Sequence, residues 1–109
     1  MGEENRFLVQ TPVFEGPLDL LLSFIEKRKL FINDISLAKV ADDYIEHLKK
    51  IQGFPMGDIS QFILIASTLL LIKSKSLLPT LDLSSEEEEN VSDLERRLRL
   101  YQFFKELSA

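Results

Sequence analysis

The chain has 109 residues, no cysteine, no tryptophan and one histidine, and its 13 basic and 18 acidic residues leave a formal charge of -5. Disulfide scaffolds and thiolate zinc sites are excluded by this composition. An acidic balance with no long basic run also argues against a free-standing nucleic-acid binder, whose affinity comes from neutralising phosphates with Lys and Arg.

The length is that of one domain with a possible appendage, and 49 apolar residues, 29 of them Leu or Ile, are enough to build a core. Residues 7–14, FLVQTPVF, are partly β-branched and aromatic but interrupted by Pro12, and predict a short extended segment. Gly16-Pro17 then sets a flexible residue ahead of a proline at the first position of a helix, with Asp19 in the turn where the helix dipole favours an anion. This first helix is expected from about Pro17 to Lys29, burying Leu18, Leu21, Leu22 and Ile25.

The second helix has the cleanest pattern. Ser36 is the expected N-cap, and Leu37, Val40, Ala41, Tyr44, Ile45, Leu48 and Ile51 recur on one stripe opposite Lys39, Asp42, Asp43, Glu46, Lys49 and Lys50. Gly53-Phe54-Pro55 ends it. The third helix, expected from about Asp58 to Leu78, breaks that pattern. One stripe (Ile59, Phe62, Ile63, Ala66, Leu69, Leu70, Leu77) suits the core of a bundle, and a second (Leu64, Ile65, Thr68, Leu71, Ile72, Lys75) lies roughly opposite. Leu64, Leu71 and Leu78 repeat at seven, as do Ile65 and Ile72, a spacing that a coiled-coil neighbour accepts. A helix apolar on both sides has to be covered on both sides.

Residues 81–90, LDLSSEEEEN, carry 5 acids and no base, whereas residues 1–80 carry 10 acids and 9 bases and residues 91–109 carry 3 and 4. The whole excess of negative charge thus sits in one stretch, which reads as a solvated linker and hinge, with a docking tail as the alternative. A fourth helix is expected to restart at the capping-box pattern Ser92-Asp93-Leu94-Glu95, with Leu94, Leu98 and Tyr101 on one face widened by Leu100, Phe103, Phe104 and Leu107. Arg96, Arg97 and Arg99 read as a salt-bridged exposed face. No helix-terminating signal precedes Ala109, so the chain reads as part of something longer. The expected architecture is all-α: a small three-helix bundle over residues 1–80, an acidic linker over 81–90, and a fourth helix opening a partner-binding segment over 91–109.

Catalysis is not expected, because no nucleophile–base pair, phosphate cradle or metal cluster is legible, and no cofactor is expected either. His47 has no second histidine or cysteine nearby and reads as a surface residue. The four glycines (Gly2, Gly16, Gly53, Gly57) never approach a nucleotide-binding spacing. The first twenty residues hold Glu3, Glu4 and Arg6 and no uninterrupted apolar segment, so a cytoplasmic protein is expected. The longest apolar run, Phe62 to Ile72, falls short of the about 20 residues of a bilayer span. What remains is apolar surface in excess, to be covered by the fourth helix or the N-terminal extended segment folding back, by a partner helix or helix pair, or by a second copy of the chain.

At FEGPLDLLL (Phe14 to Leu22) and TLLLIKSKSLLP (Thr68 to Pro79) the sequence strongly resembles the N-terminal domain of segregation and condensation protein A, the bacterial kleisin. Lys29 to Leu48 resembles the stretch between those motifs, and LERRLRLYQFFKELS, Leu94 to Ser108, the segment beyond the family's acidic loop. The resemblance implies a non-enzymatic subunit of the SMC condensin complex in chromosome condensation and segregation, acting in the cytoplasm at the nucleoid. It implies that the helical domain packs on the coiled-coil neck of an SMC ATPase, that the following segment binds a ScpB dimer, and that DNA is reached only through the complex. On that footing Leu64, Ile65, Thr68, Leu71, Ile72 and Lys75 are expected at the SMC neck, and Leu98, Tyr101 and Phe104 at ScpB. Phe14, Gly16, Pro17, Leu18, Leu21 and Leu22 are expected to be structural. The rival expectation is a self-associating helical adaptor unrelated to SMC.

Overall fold

A computed structural model describes residues 14–50 and 56–108, with the side chains of 56–58 excepted. The expected extended segment at 7–13 and the helix stop at Gly53-Phe54-Pro55 lie outside the described residues. Four helices follow one another: α1 (Pro17–Lys27), α2 (Asp34–Lys50), α3 (Met56–Leu77) and α4 (Ser85–Ser108). No strand occurs among the described residues, so the fold is all-α.

Helix α1 begins at Pro17, after Gly16 in an extended backbone (φ 162°). It ends in a two-bond lock: the Lys29 amide donates to Glu26 and the Leu30 amide to Ile25, each at 3.0 Å. This geometry puts Lys29 at φ 57°, the left-handed position that glycine usually fills, and so stops the helix two residues before the expected end. Helix α2 starts earlier than the periodicity suggests. Asn33, not Ser36, is its cap, accepting the Ser36 amide on Oδ1 at 2.8 Å. Ser36 lies buried inside the first turn, and Asp34 gains the dipole-favoured position.

Leu20, Leu21, Leu22 and Ile25 of α1 and Leu37, Val40, Ala41 and Tyr44 of α2 form the centre of the core, against Phe62, Ile65, Leu69 and Ile72 of α3. The Tyr44 hydroxyl is carried into this interior and donates to the Phe62 carbonyl at 2.8 Å. Burial pushes its phenol pKa well above the ordinary tyrosine value. At the surface of the same contact Lys73 bridges to Asp42 at 2.5 Å. By length and apolarity Ile59–Leu77 matches a bilayer span, but one side of it is packed into this core.

The acidic stretch is where the expectation changes most. Ser84 and Glu87 cap one another, the Glu87 amide donating to Ser84 Oγ at 3.1 Å and the Ser84 amide to Glu87 Oε1 at 2.9 Å. The glutamates that read as a linker therefore form the first turn of α4, and Ser92-Asp93-Leu94-Glu95 lies within the helix, not at its start. Repulsion among four adjacent carboxylates is offset by the helix N-terminus they surround. Only residues 78–84 separate α3 from α4. Lys75 closes the end of α3, its ammonium donating to the carbonyls of Pro79 and Leu81.

Helix α4 packs on the bundle. Leu94 and Leu98 join the core, Arg99 donates to the Ile32 carbonyl at 2.9 Å, and Lys105 reaches Asp19 at 2.9 Å. Asp19 is a nearly buried acid, and its Oδ2 also accepts the Glu15 amide at 3.1 Å. Burial raises its pKa, but the Lys105 ammonium, the Glu15 amide and the Tyr101 hydroxyl together hold it below the ordinary carboxylate value. The Tyr101 hydroxyl donates to Glu15 Oε2 at 3.4 Å as well.

Two stability predictions follow from the seating of α4. Leu98→Ala, which empties a core position, is expected to lower stability by about 2 to 5 kcal/mol, and Leu100→Ala on the outer face by about 0.5 kcal/mol or less, measured by urea unfolding. Asp19→Asn is expected to cost about 1 kcal/mol, since it weakens a hydrogen-bonded pair whose lysine is half exposed. The contribution of Asp19 is present above its unfolded pKa near 3.8 and lost as pH falls through the depressed folded value. Its hydrogen bond to Asp19 holds Lys105 above its ordinary 10.5, so that contribution is lost only as pH rises through the raised value. The stability gap between wild type and Asp19→Asn is therefore flat from about pH 5 to pH 9 and closes below about pH 4.

Candidate interaction surfaces

The core uses one side of α3 and leaves the other to solvent. Of the six residues expected at the SMC neck, Ile65 and Ile72 are core residues, 5% and 4% exposed. Leu64 is 60% exposed, Thr68 and Leu71 are half-buried, and Lys75 is exposed but holds the α3 terminus. Conversely Ile63, Leu70 and Leu77, expected in the core, are exposed. The helix is thus rotated by roughly a quarter turn from the expected division, at about 100° per residue. An apolar residue at nearly every angle leaves no phase in the periodicity, so hydropathy alone could not choose.

One signal in the sequence does point to the exposed side. Ser60, Ser67 and Ser74 recur at seven and lie along its middle, flanked by Ile63, Leu70 and Leu77 on one side and Leu64, Leu71 and Leu78 on the other. Ser67 Oγ donates back to the Ile63 carbonyl at 3.0 Å, so this hydroxyl is satisfied within its own helix. The face is a furrow of small residues between two apolar ridges, a shape that accepts a ridge of another helix.

Helix α4 divides in the same way. Leu98, expected at ScpB, is fully buried, Tyr101 is half-buried beside Glu15, and Phe104 is 60% exposed. The accessible apolar stripe consists of Phe104 together with Leu100, Phe103 and Leu107. The Phe103 and Phe104 rings meet edge to face at 5.7 Å. The pairing of Leu98 with Phe104 fails because they are six positions apart, which sets them on different sides of a helix.

The FEGPLDLLL segment supplies packing and capping. Leu21 and Leu22 are fully buried, Leu18 and Phe14 are half-buried against the core, and Gly16 and Pro17 start α1. What the sequence did not disclose is the partner of Asp19, Lys105 of α4, at a sequence distance of 86 residues. His47 is likewise more than a surface residue. It sits between Phe14 and Phe24, each ring 5.8 Å away and edge-on, and burial followed by the nearby Lys50 charge lowers its pKa. Among the described residues no group of three His, Cys, Asp or Glu side chains is arranged to hold a metal ion.

Comparison with known proteins identifies the family. The profile of the family "Segregation and condensation protein ScpA" matches residues 24–106, from the last turn of α1 nearly to the end of α4. Segregation and condensation protein A of Halothermothrix orenii is 39% identical over 100 residues, covering 92% of this chain and 41% of that protein. The protein of the same name from Myxococcus xanthus is 37% identical over 114 residues, covering 94% and 39% respectively. The chain therefore spans about two fifths of the length of these curated relatives. No solved structure matches it. With the profile running through all four helices and similar proteins aligned over nine tenths of its length, the chain belongs to the segregation and condensation protein ScpA family.

Proposed function

We propose that this chain is the part of a kleisin subunit that docks on the coiled-coil neck of an SMC ATPase and leads into a ScpB-binding segment. Its role is non-enzymatic, it acts in the cytoplasm at the nucleoid, and it reaches DNA only through its partners. The observation that carries this reading is the outer face of α3. A serine furrow between two leucine-rich ridges runs along the side of the helix opposite the core, with the seven-residue spacing of a coiled-coil partner. Leu64, Leu70, Leu71, Leu77 and Leu78 with Ile63 are the contacts. Ile65 and Ile72 support the face from beneath, and Thr68 and Lys75 lie at its margin.

The family membership favours a chromosome segregation and condensation role over an unrelated adaptor, and the acidic surface of α4 keeps the fragment itself off DNA. For the ScpB-binding segment the candidate anchors become Leu100, Phe103, Phe104 and Leu107, with Tyr101 at the edge of the stripe. Residues 1–80 and 91–109 then serve different partners, although α4 is packed on the bundle.

Leu70→Asp tests the reading. Leu70 is 51% exposed, so the variant is expected to keep its helical circular dichroism and its thermal midpoint within a few degrees. Its co-elution with an SMC head carrying the neck is expected to be lost, and Ser67→Phe, which fills the furrow, is expected to have the same effect. Wild-type binding by both variants defeats the proposal. A stable dimer of the chain in light scattering, with no SMC binding, favours the self-associating adaptor instead.

A further inference from the structure

A second surface, on another side of the bundle from the α3 furrow, combines apolar lining with three carboxylates. The first turn of α2, the end of α3 and the first half of α4 enclose an open groove of about 350 Å³ whose apolar lining includes Ile35, Ile72, Pro79, Leu83 and Val91. A hollow of about 400 Å³ adjoins it, sharing Asp34, Leu83 and Val91 and extending to Glu88 and Glu95. Ile72 forms part of the floor from within the core, whereas Ile35 stands 65% exposed at the edge. The reciprocal capping of Ser84 and Glu87 fixes the start of α4 and with it Glu88 at this hollow, so a charge read as part of a linker belongs to a fixed helix.

Three carboxylates (Asp34, Glu88 and Glu95) and one ammonium (Lys75) line the two hollows, and that ammonium and the neighbouring guanidiniums are engaged in contacts of their own. Lys75 gives its ammonium to the Pro79 and Leu81 carbonyls, and Arg99 is shared between the Ile32 carbonyl at 2.9 Å and Glu95 at 3.7 Å. Arg96 and Arg97 both answer Asp93. Neither Asp34 nor Glu88 has an ion-pair partner among the described residues. Burial raises the Glu95 carboxyl's pKa, and although Arg99 opposes this, the Asp34 charge adds to it. An added cation would relieve that repulsion, while a phosphate backbone would worsen it.

We propose that this groove receives a short basic protein segment, one or two large aliphatic or aromatic side chains seated on Ile72, Leu83 and Val91 against Ile35 at the edge, and flanking Lys or Arg side chains paired with Asp34 and Glu88, near Glu95. The two adjoining hollows match such a segment in chemistry. The apolar floor supplies burial, and the carboxylate rim supplies selection and electrostatic steering. Lys75 lines this groove as well as the margin of the α3 face, but Ile35, Leu83 and Val91 belong to the groove alone, so substitution at Ile35 separates the two proposals.

The test is a random peptide library of about twelve residues, roughly 40 Å when extended, panned on the full chain. Enriched peptides are expected to combine a Leu, Ile, Phe or Trp with at least two Lys or Arg, and to weaken as salt rises. Ile35→Asp is expected to weaken them at least about tenfold. That variant keeps the fold, because the position is exposed and an acid is favoured in the first turn of α2. The paired change Asp34→Asn with Glu88→Gln is expected to weaken them several-fold and to flatten the salt dependence. Peptides that are neutral or acidic, or that bind wild type and Ile35→Asp alike, overturn the proposal. So does loss of binding in Leu70→Asp with retention in Ile35→Asp, which assigns the peptides to the α3 face.

Discussion

A hydroxyl carried into an apolar interior has to find an acceptor there, and the hydrogen bond from Tyr44 to the Phe62 carbonyl is the interaction on which the arrangement of this protein depends. It ties α2 to α3 at one height, and the Lys73–Asp42 pair ties them again about three turns along α3. Two polar ties along one helix fix its rotation as well as its position. With rotation fixed, Phe62, Ile65, Leu69 and Ile72 face inward, and Ile63, Leu64, Leu70 and Leu77 have no choice but to face outward. The outer face of α3 thus follows from one polar tie in the core and one at its surface, which select among phases that hydropathy alone leaves open.

This explains which parts of the fold could be read from sequence. Helix α2 is nearly complete in its periodicity, since polar and apolar residues alternate with a clear phase and Leu37, Val40, Ala41 and Tyr44 are all buried. Helix α3 shows that it has two apolar sides but not where they divide, because the deciding contact joins residues 18 apart in sequence. The start of α4 was obscured by a competition between two electrostatic effects. Glutamate repulsion argues for an extended, solvated chain, whereas the helix N-terminus and the reciprocal Ser84–Glu87 cap favour a helix, and the cap wins. The surfaces suffered most. Assigning Ile65, Ile72 and Leu98 to partners required a helix phase that the sequence did not contain, whereas the serines at 60, 67 and 74 carried it unnoticed.

The outward surfaces differ in chemistry, and that separation has a physical basis. The α3 furrow combines small polar and large apolar side chains with few charges, so it offers packing with little electrostatic discrimination. The groove beside α2 combines an apolar floor with two carboxylates, Asp34 and Glu88, that have no ion-pair partner among the described residues, so charge as well as packing would select what it accepts. Both are held by α3 itself, one on its outer face and the other at its C-terminal end through Ile72.

The clip between Lys105 and Asp19 also has a mechanical meaning. Helix α4 contains 24 residues and is about 36 Å long, a stiff strut anchored by Leu94 and Leu98 near its middle and by Lys105 near its far end. A pull along its axis loads the core anchors and the clip in shear, so they must yield together. A pull perpendicular to it loads the clip first, and one half-exposed ion pair is a weak latch. The last two turns of α4, with Phe103, Phe104 and Leu107 on their free side, can thus peel outward under lateral force while the rest of the strut stays seated.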